Sequence, residues 1–434
     1  MTLSPQSAEC PRGNKNPRKE SIRPSHSLSR IKVGAPLGSN FIMLIFISAS
    51  AATARSDLKH PTPTGLFERR STWVHPGVMI SQDQIDYFKS EVAASSSPWL
   101  AAYDQLLDQT AVANATYTPS PVPTVVCGSY SIPDVGCSAE REDSLAAYAN
   151  ALAWVVSEEQ SYANRAIDIM NSWSSTVLTH NDSNAPIQSG WVGSVWARTG
   201  ELIRYSDAGW RTSEIDDFEV MLRTAYMPLV IGGSTYNGNW ELVMTEAAMF
   251  MGVFLENSTA YNTAMELFEA RVPAYIYLTS DGSLPVYPRG INTEAALISY
   301  WEGQSSFEAS GMAQETCRDL EHTGYGLASI AHVSEMSRIQ GTDLYQTSVG
   351  TRLQAALEFH TQFLEGIDVP SWLCSGTLDL TLLSTTEIGF NAFATRMDYN
   401  NLTYTEEWTV SRRPAGSNGL FVAFETLTHA NNPY

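Results

Sequence analysis

The chain has 434 residues, with 46 Asp and Glu against 26 Lys and Arg, a formal charge of −20. Residues 1–54 hold seven basic residues and two Glu, so the remainder carries −25 and offers no field for non-specific nucleic-acid binding. An anionic substrate would have to be drawn by a local basic cleft.

Residues 1–40 are basic, polar and without apolar periodicity; the run FIMLIFISASAATA at 41–54 then supplies a short apolar stretch and a small-x-small cleavage pattern. This predicts a secretory signal, too short to span a bilayer. The forty residues ahead of it make an unusually long basic region. The expectations are an extracellular protein, free of the membrane once the signal is removed, with 55–434 as a single domain. Helical periodicity predominates there: Leu145, Tyr148, Ala149, Leu152 and Val155 mark one apolar face, and Val243, Ala247, Phe250 and Phe254 another. Further helices are expected over about 82–94, 97–109, 160–177, 189–205, 213–227, 259–271, 310–339 and 343–365, with VPAYIYL at 272–278 as a strand. Tyr162, Tyr261 and Tyr345 each open a helix after a polar turn, the mark of helical hairpins in series. Their irregular spacing argues against a short-period solenoid. It favours an all-α fold, an α/α toroid whose inner helices line a cleft.

Four N-x-Ser/Thr sequons, at Asn114, Asn181, Asn257 and Asn401, follow the cleavage pattern and agree with secretion. Four cysteines follow it too. Cys127 and Cys137 flank the turn-rich CGSYSIPDVGC, which a bridge would staple, leaving Cys317 for Cys374; this is one of three formal pairings. No Cys or His spacing suggests a metal.

Common catalytic motifs are absent, and two polar stretches remain. In CRDLEHTGYG, Arg318, His322 and Tyr325 would project in one direction if the helix spans 315–325. Gly324 and Gly326 are costly mid-helix and imply close backbone approach. The stripe reads equally as a structural network, with Arg318 paired to Glu315 or Asp319. In YNGNWE, Asn239 stands where a helix begins, as an N-cap or as an amide to hold a carboxylate, and Trp240 could be core or a platform for a sugar ring. Lesser candidates are Gln188, Trp191, Trp196 and Arg198 in one helix, Arg289 in a loop, Tyr300, and His75.

The ordered series HPGVMIS, SLAAYANALAWVV, NRAIDIMNSWS, SGWVGSVWARTGELIRYS, NGNWELVMTEAA and QETCRDLEHTGYGLASIAHVSE resembles the alginate lyase domain family from about His75 onward. The resemblance implies an α/α toroid cleaving a uronic-acid polysaccharide, alginate or glucuronan-like, by β-elimination without metal or cofactor. It also implies that Asn239 and Arg318 neutralise the substrate carboxylate and that Tyr325 is the acid, or both acid and base. The family pattern places His after the Asn, where this chain has Trp240; His322 is then a substitute base, and Arg289 an alternative neutraliser. Trp240, Arg289, Trp191 and Tyr300 are expected to touch substrate. A monomer acting on an acidic polysaccharide is expected. Two alternatives stand beside it: a glycoside hydrolase using two of Glu241, Glu302 and Glu315, and a non-catalytic glycan binder stacking sugars on Trp191, Trp240 and Trp301.

Overall fold

The apolar periodicity is realised as an inner and an outer set of helices, seen in a computed structural model that describes residues 72–434. In chain order the longer helices are α1 Gln82–Ala93, α2 Trp99–Leu107, α3 Cys137–Ser157, α4 Gln160–Ser174, α5 Ala185–Arg204, α6 Thr212–Met221, α7 Gly238–Phe254, α8 Ser258–Tyr275, α9 Glu294–Tyr300, α10 Leu320–Ile339, α11 Ser348–Leu364 and α12 Thr403–Ser411. The expected signal at 41–54 lies outside the described residues. Among them no helix is long and apolar enough to cross a membrane.

Helices α3, α5, α7 and α10 pack each against the next, and α4, α8 and α11 cover α3, α7 and α10 from outside. The inner helices are buried nearly all round, as a toroid requires. The turns between partners are short because the sequence stops each helix sharply. Glu158 in the left-handed conformation ends α3 just before α4 begins. Asn257 caps α8 by accepting from Ala260 N, and Thr347 caps α11 by accepting from Val349 N. Tyr162 and Tyr261 fall in the first turns of α4 and α8 as expected, whereas Tyr345 lies in a short 3-10 turn ahead of the Thr347 cap. Tyr345 gives its hydroxyl to Ala331 O and Glu335 of α10, locking one hairpin.

Three expectations need correction. The helix predicted over 310–339 starts only at Leu320, because Gly311 takes φ +101° and the Asp319 side chain caps the helix from outside. The strand predicted at 272–278 is instead the end of α8, which runs through Pro273 to Tyr275; Val272 and Tyr275 continue its buried face, and only Ile276 pairs, with Ala313. A small sheet was not foreseen. β1 (Thr124–Cys127) pairs antiparallel with β2 (Asp134–Val135) and parallel with β3 (Thr179–Asn181). The loop between β1 and β2 is the stretch bridged by Cys127–Cys137, and Cys317–Cys374 forms the second disulfide, so both expected pairings hold.

Buried charge ties the inner helices to the C-terminal segment. His332 of α10 is fully buried, with Nδ1 3.0 Å from Glu246 of α7 and Nε2 2.7 Å from Glu425. Both nitrogens face carboxylate oxygens, so the ring is an imidazolium. Burial alone would lower its pKa, yet the two carboxylates outweigh that and raise it to about 9. A raised folded-state pKa gives stability that is full below the unfolded value near 6.5 and is lost as pH rises through about 9. Stability against thermal unfolding should therefore fall across that window by something on the order of 3 kcal/mol. In His332→Gln that component of the decline should vanish, and a pH profile unchanged from the parent would contradict the assignment.

Candidate active site

The inner helices break their burial at one end. All of α7 is buried except Trp240, and α5 is buried from Ile187 to Ile203 except Trp191. On α10, Glu321 and His322 are partly exposed, whereas Thr323 to Ser337 are buried. These gaps sit near the helix N-termini. Asn184 precedes α5, Asn237 precedes α7, and Arg318 lies just ahead of the cap of α10. Together with Ser129, Ser183, Tyr236 and Trp240 they line one open cleft. Of the residues lining it Arg318 alone is charged, so the cleft presents a local cation in a strongly acidic protein.

Arg318 does not share a helix with His322, contrary to expectation, yet the two still meet. Its Nη2 lies 2.8 Å from His322 Nε2, because the Asp319 cap turns the chain so that Arg318 folds over the first turn. His322 Nδ1 lies 2.7 and 2.8 Å from the two oxygens of Asp319. A guanidinium can only donate, so Nε2 carries the lone pair and Nδ1–H donates to Asp319. His322 is thus a neutral imidazole aligned between Asp319 and Arg318. Burial would raise the Asp319 pKa, but the hydrogen bonds from His322 and the charge of Arg318 hold it below the usual carboxylate range.

Asn239 is brought to the same place by Glu315, which was expected only as a partner for Arg318 or as a hydrolase acid. Asn239 is the second residue of α7 rather than its cap, which is Asn237. Its Nδ2 donates to both oxygens of Glu315 at 2.7 Å, and its backbone N–H donates to Glu315 at 3.1 Å. The same wholly buried carboxylate accepts from Arg318 Nη1 at 2.9 Å and from Tyr275 Oη at 3.2 Å. The start of α7 does hold a carboxylate, but it is Glu315's own. Gln314 accepts from Gly238 N beside it. Glu315 therefore links the two polar stretches and fixes Arg318, whose side chain remains 25 % exposed.

Tyr325 stands beside this chain. Its ring meets His322 edge-on, with centroids 5.6 Å apart, and its hydroxyl donates to Glu321 at 2.5 Å. The spacing put the phenol on one face with the Arg318 guanidinium. The structure puts it beside carboxylates. Burial first, then the hydrogen bond and charge of Glu321, push the Tyr325 pKa far above that of an ordinary phenol. The group is a protonated acid rather than a phenolate base. The glycines flanking it act as anticipated: a Cβ on Gly326 would fall 2.3 Å from Tyr275 Oη, and one on Gly324 2.8 Å from Thr385 Oγ1.

The remaining candidates scatter. Arg289 donates to Glu241 and Gly232 O, in a cluster where Arg271 also binds Glu241 and Tyr300. Tyr300 passes its own hydroxyl to Tyr236 O, so this cluster braces the loop carrying Tyr236 without entering the cleft of Arg318. Gln188, Trp196 and Arg198 are fully buried, and His75 pairs with Glu201. Trp301 is buried and offers no sugar a face. With Glu241 clamped by Arg271 and Arg289, and Glu315 by Asn239 and Arg318, two of the three proposed hydrolase acids are not free. Among the described residues no His, Cys, Asp or Glu cluster could hold a metal.

The sequence profile of alginate lyases matches residues 137–369, more than half of the chain. The chain belongs to the alginate lyase family. It is a polysaccharide lyase. Its fold is similar to that of an alginate lyase from Bacteroides ovatus, at 14% identity over 82% of this chain and 100% of that one, with a TM-score of 0.54. It is also similar to alginate lyase A1-III from Sphingomonas species A1, at 11% identity over 83% and 97% of the two chains, TM-score 0.51. A tyrosine-to-phenylalanine variant of A1-III, complexed with tetrasaccharide, gives 15% identity over 83% and 97%, TM-score 0.53. No curated protein matches. At such identities the structural likeness is one of fold, an α/α toroid.

In this lyase the cleft also presents an aromatic edge. Trp240 and the exposed Tyr236 meet edge-to-face with centroids 5.0 Å apart. Trp240→Ala should raise KM about three- to tenfold, through lost stacking, with a smaller change in kcat. Initial rates over a range of substrate concentrations would show it. A variant with unchanged KM would place the sugar elsewhere.

Proposed function

We propose that this lyase cleaves a uronate polymer, alginate or glucuronan-like, by β-elimination in the cleft beside Arg318. The observation that carries the reading is the hydrogen-bonded chain Asp319–His322–Arg318 with protonated Tyr325 against it. The C5 proton of a uronate is barely acidic until its carboxylate is neutralised, and Arg318 is the cation that reaches the cleft. Asn239 acts through Glu315, holding Arg318 in place. When the substrate carboxylate draws the guanidinium to itself, the Nε2 lone pair of His322 is released to take the C5 proton. Asp319 then stabilises the imidazolium. Tyr325 supplies the proton for the departing O4.

His322 and Tyr325 reach out from one face of α10, so both protons move on one side of the sugar ring. In D-mannuronate and D-glucuronate the axial C5 hydrogen and the equatorial O4 lie on the same side. In L-guluronate both are axial and opposed. The reading therefore favours mannuronate-rich alginate or glucuronan. Purified protein is incubated with polymannuronate, polyguluronate and glucuronan, and ultraviolet absorbance of the new C4=C5 bond is followed. A rise with the first or third is expected. Faster cleavage of polyguluronate would defeat same-side transfer, and no rise on any of them would defeat the whole reading.

The two disulfides suit an oxidising compartment, and Asn114, Asn181 and Asn401 are exposed while Asn257 is partly so. We read the protein as a secreted, monomeric glycoprotein in which residues 55–434 form one toroid domain after a removed signal.

A further inference from the structure

We propose that the cavity between α11 and the start of α12 seats an N-linked glycan carried on Asn401, so that its first sugars lie folded against the protein instead of standing in solvent. The inference rests on the secreted reading above and is independent of the chemistry at Arg318. The cavity measures about 640 Å³, well within the roughly 300–1,000 Å³ of small-ligand pockets. Asn401 is exposed and is itself one of the lining residues. The sequon Asn401-Leu402-Thr403 ends on the first residue of α12, and Leu402 is buried, so the acceptor is tied to the helix it precedes. Asn401 Oδ1 accepts from Gln354 Nε2 of α11 at 3.1 Å, which holds the amide at the cavity rim and leaves Nδ2 to take the sugar. Asn114 and Asn181 differ. Asn114 Oδ1 accepts from Thr116 N and Oγ1, and Asn181 Oδ1 from Asp182 N, so these two amides are held by their own neighbours in sequence.

Modification joins Nδ2 to C1 of an N-acetylhexosamine. The C1–O bond to a lipid-linked diphosphate breaks, the diphosphate leaves with the bonding pair, and one amide proton is released. The Gln354 hydrogen bond ends on Oδ1 and survives this step. The lining decides which ligand belongs in the cavity. It holds one carboxylate, Glu358, and no Lys, Arg or His. A polyuronate would be repelled, which rules out a second substrate site, whereas a neutral N-acetylated sugar carries no charge to oppose. Glu358 is engaged already: it accepts from Tyr404 N and Thr405 N at 3.1 Å and from Thr405 Oγ1 at 2.9 Å, and so fixes Tyr404 at the rim. Tyr404, Phe359 and Leu278 offer apolar faces to a sugar ring, and Ser280, Gln354 and Gln362 offer polar groups to its hydroxyls and acetamido group.

The full chain is produced in a secreting eukaryotic host, and each sequon is followed by mass spectrometry during digestion with a peptide-N-glycosidase, first native and then denatured. Native protein is expected to release glycan from Asn401 about tenfold or more slowly than from Asn114 and Asn181, the protection that stacking on an aromatic ring supplies. Denaturation should abolish the difference. Tyr404→Ala removes an apolar face and leaves the sequon intact; Ala355→Leu fills the cavity instead. Each should bring release at Asn401 to the rate of the other two sites, with thermal unfolding as the check that the variants are folded. Equal native release at the three sites, or protection that both folded variants keep, overturns the seat while secretion stands. Asn401 left bare while Asn114 and Asn181 are modified overturns it as well. If no sequon is modified, the reading of a secreted glycoprotein fails first and the seat with it.

Discussion

Tyr325→Phe should lower kcat on a cleaved polyuronate by about 10²–10⁴, the usual worth of a positioned general acid. The phenol stands edge-on to His322 and is held protonated by burial and by Glu321. Phenylalanine keeps the ring against His322 and Phe421, so packing is preserved and only the transferable proton is lost. The hydrogen bond removed ends on a partly exposed carboxylate that water can satisfy, so the stability cost should be about 1 kcal/mol or less. KM should change little, because the hydroxyl matters most where O4 departs. Initial rates by ultraviolet absorbance, with thermal unfolding as control, separate the two effects. A variant that turns over at the parent rate would remove Tyr325 from the chemistry.

Arg318→Ala should cost about 10²–10³ in kcat, the loss that follows when a donor aimed at developing negative charge is removed. It should also destabilise the fold, since Glu315 is wholly buried and would lose its cationic partner; removal of one member of such a pair costs about 3 kcal/mol or more. Arg318→Lys distinguishes charge from geometry. A lysine keeps the positive charge but cannot bind Glu315 with one amino group and His322 with another, as the guanidinium fork does. The lysine variant should therefore recover much of the stability and little of the rate. Full activity in Arg318→Ala would shift the neutralising role to another cation, and Arg289 would be tested next.

The two effects are coupled through one short segment. Residues 314–322 supply the side chains that cap α7, hold Arg318, orient His322 and retain the phenol of Tyr325. Cys317 anchors this segment to Cys374, and Cys374 N also donates to Gln304 at 2.9 Å. The disulfide therefore belongs to the architecture of the site as well as to the stability of the chain.

Much of this was legible in the sequence. Helical periodicity gave the inner and outer helices because an apolar face must be covered, and the turn residues between hairpins set their antiparallel order. The Gly pair around Tyr325 announced a close approach, since a glycine tolerated inside a helix usually means that no Cβ fits. The spacing of Arg318, His322 and Tyr325 put them on one face, and Arg318 and Tyr325 both meet His322 even though Arg318 lies outside the helix. Three things required the tertiary structure. The start of α10 depended on an Asp cap competing with helix propensity over 310–319, a local contest that periodicity does not register. The role of Glu315 depended on its meeting Asn239, 76 residues away, because a buried carboxylate takes its meaning from the donors brought to it. The protonation of Tyr325 depended on which charges stand nearest in space: the sequence placed an arginine seven residues before it, and the fold placed a glutamate against its hydroxyl. Sequence thus determined which groups are present and which faces are apolar, since both are local properties of the chain. Charge state and partnership were decided by tertiary structure, because Coulomb interaction and desolvation depend on distance and burial, not on position along the chain.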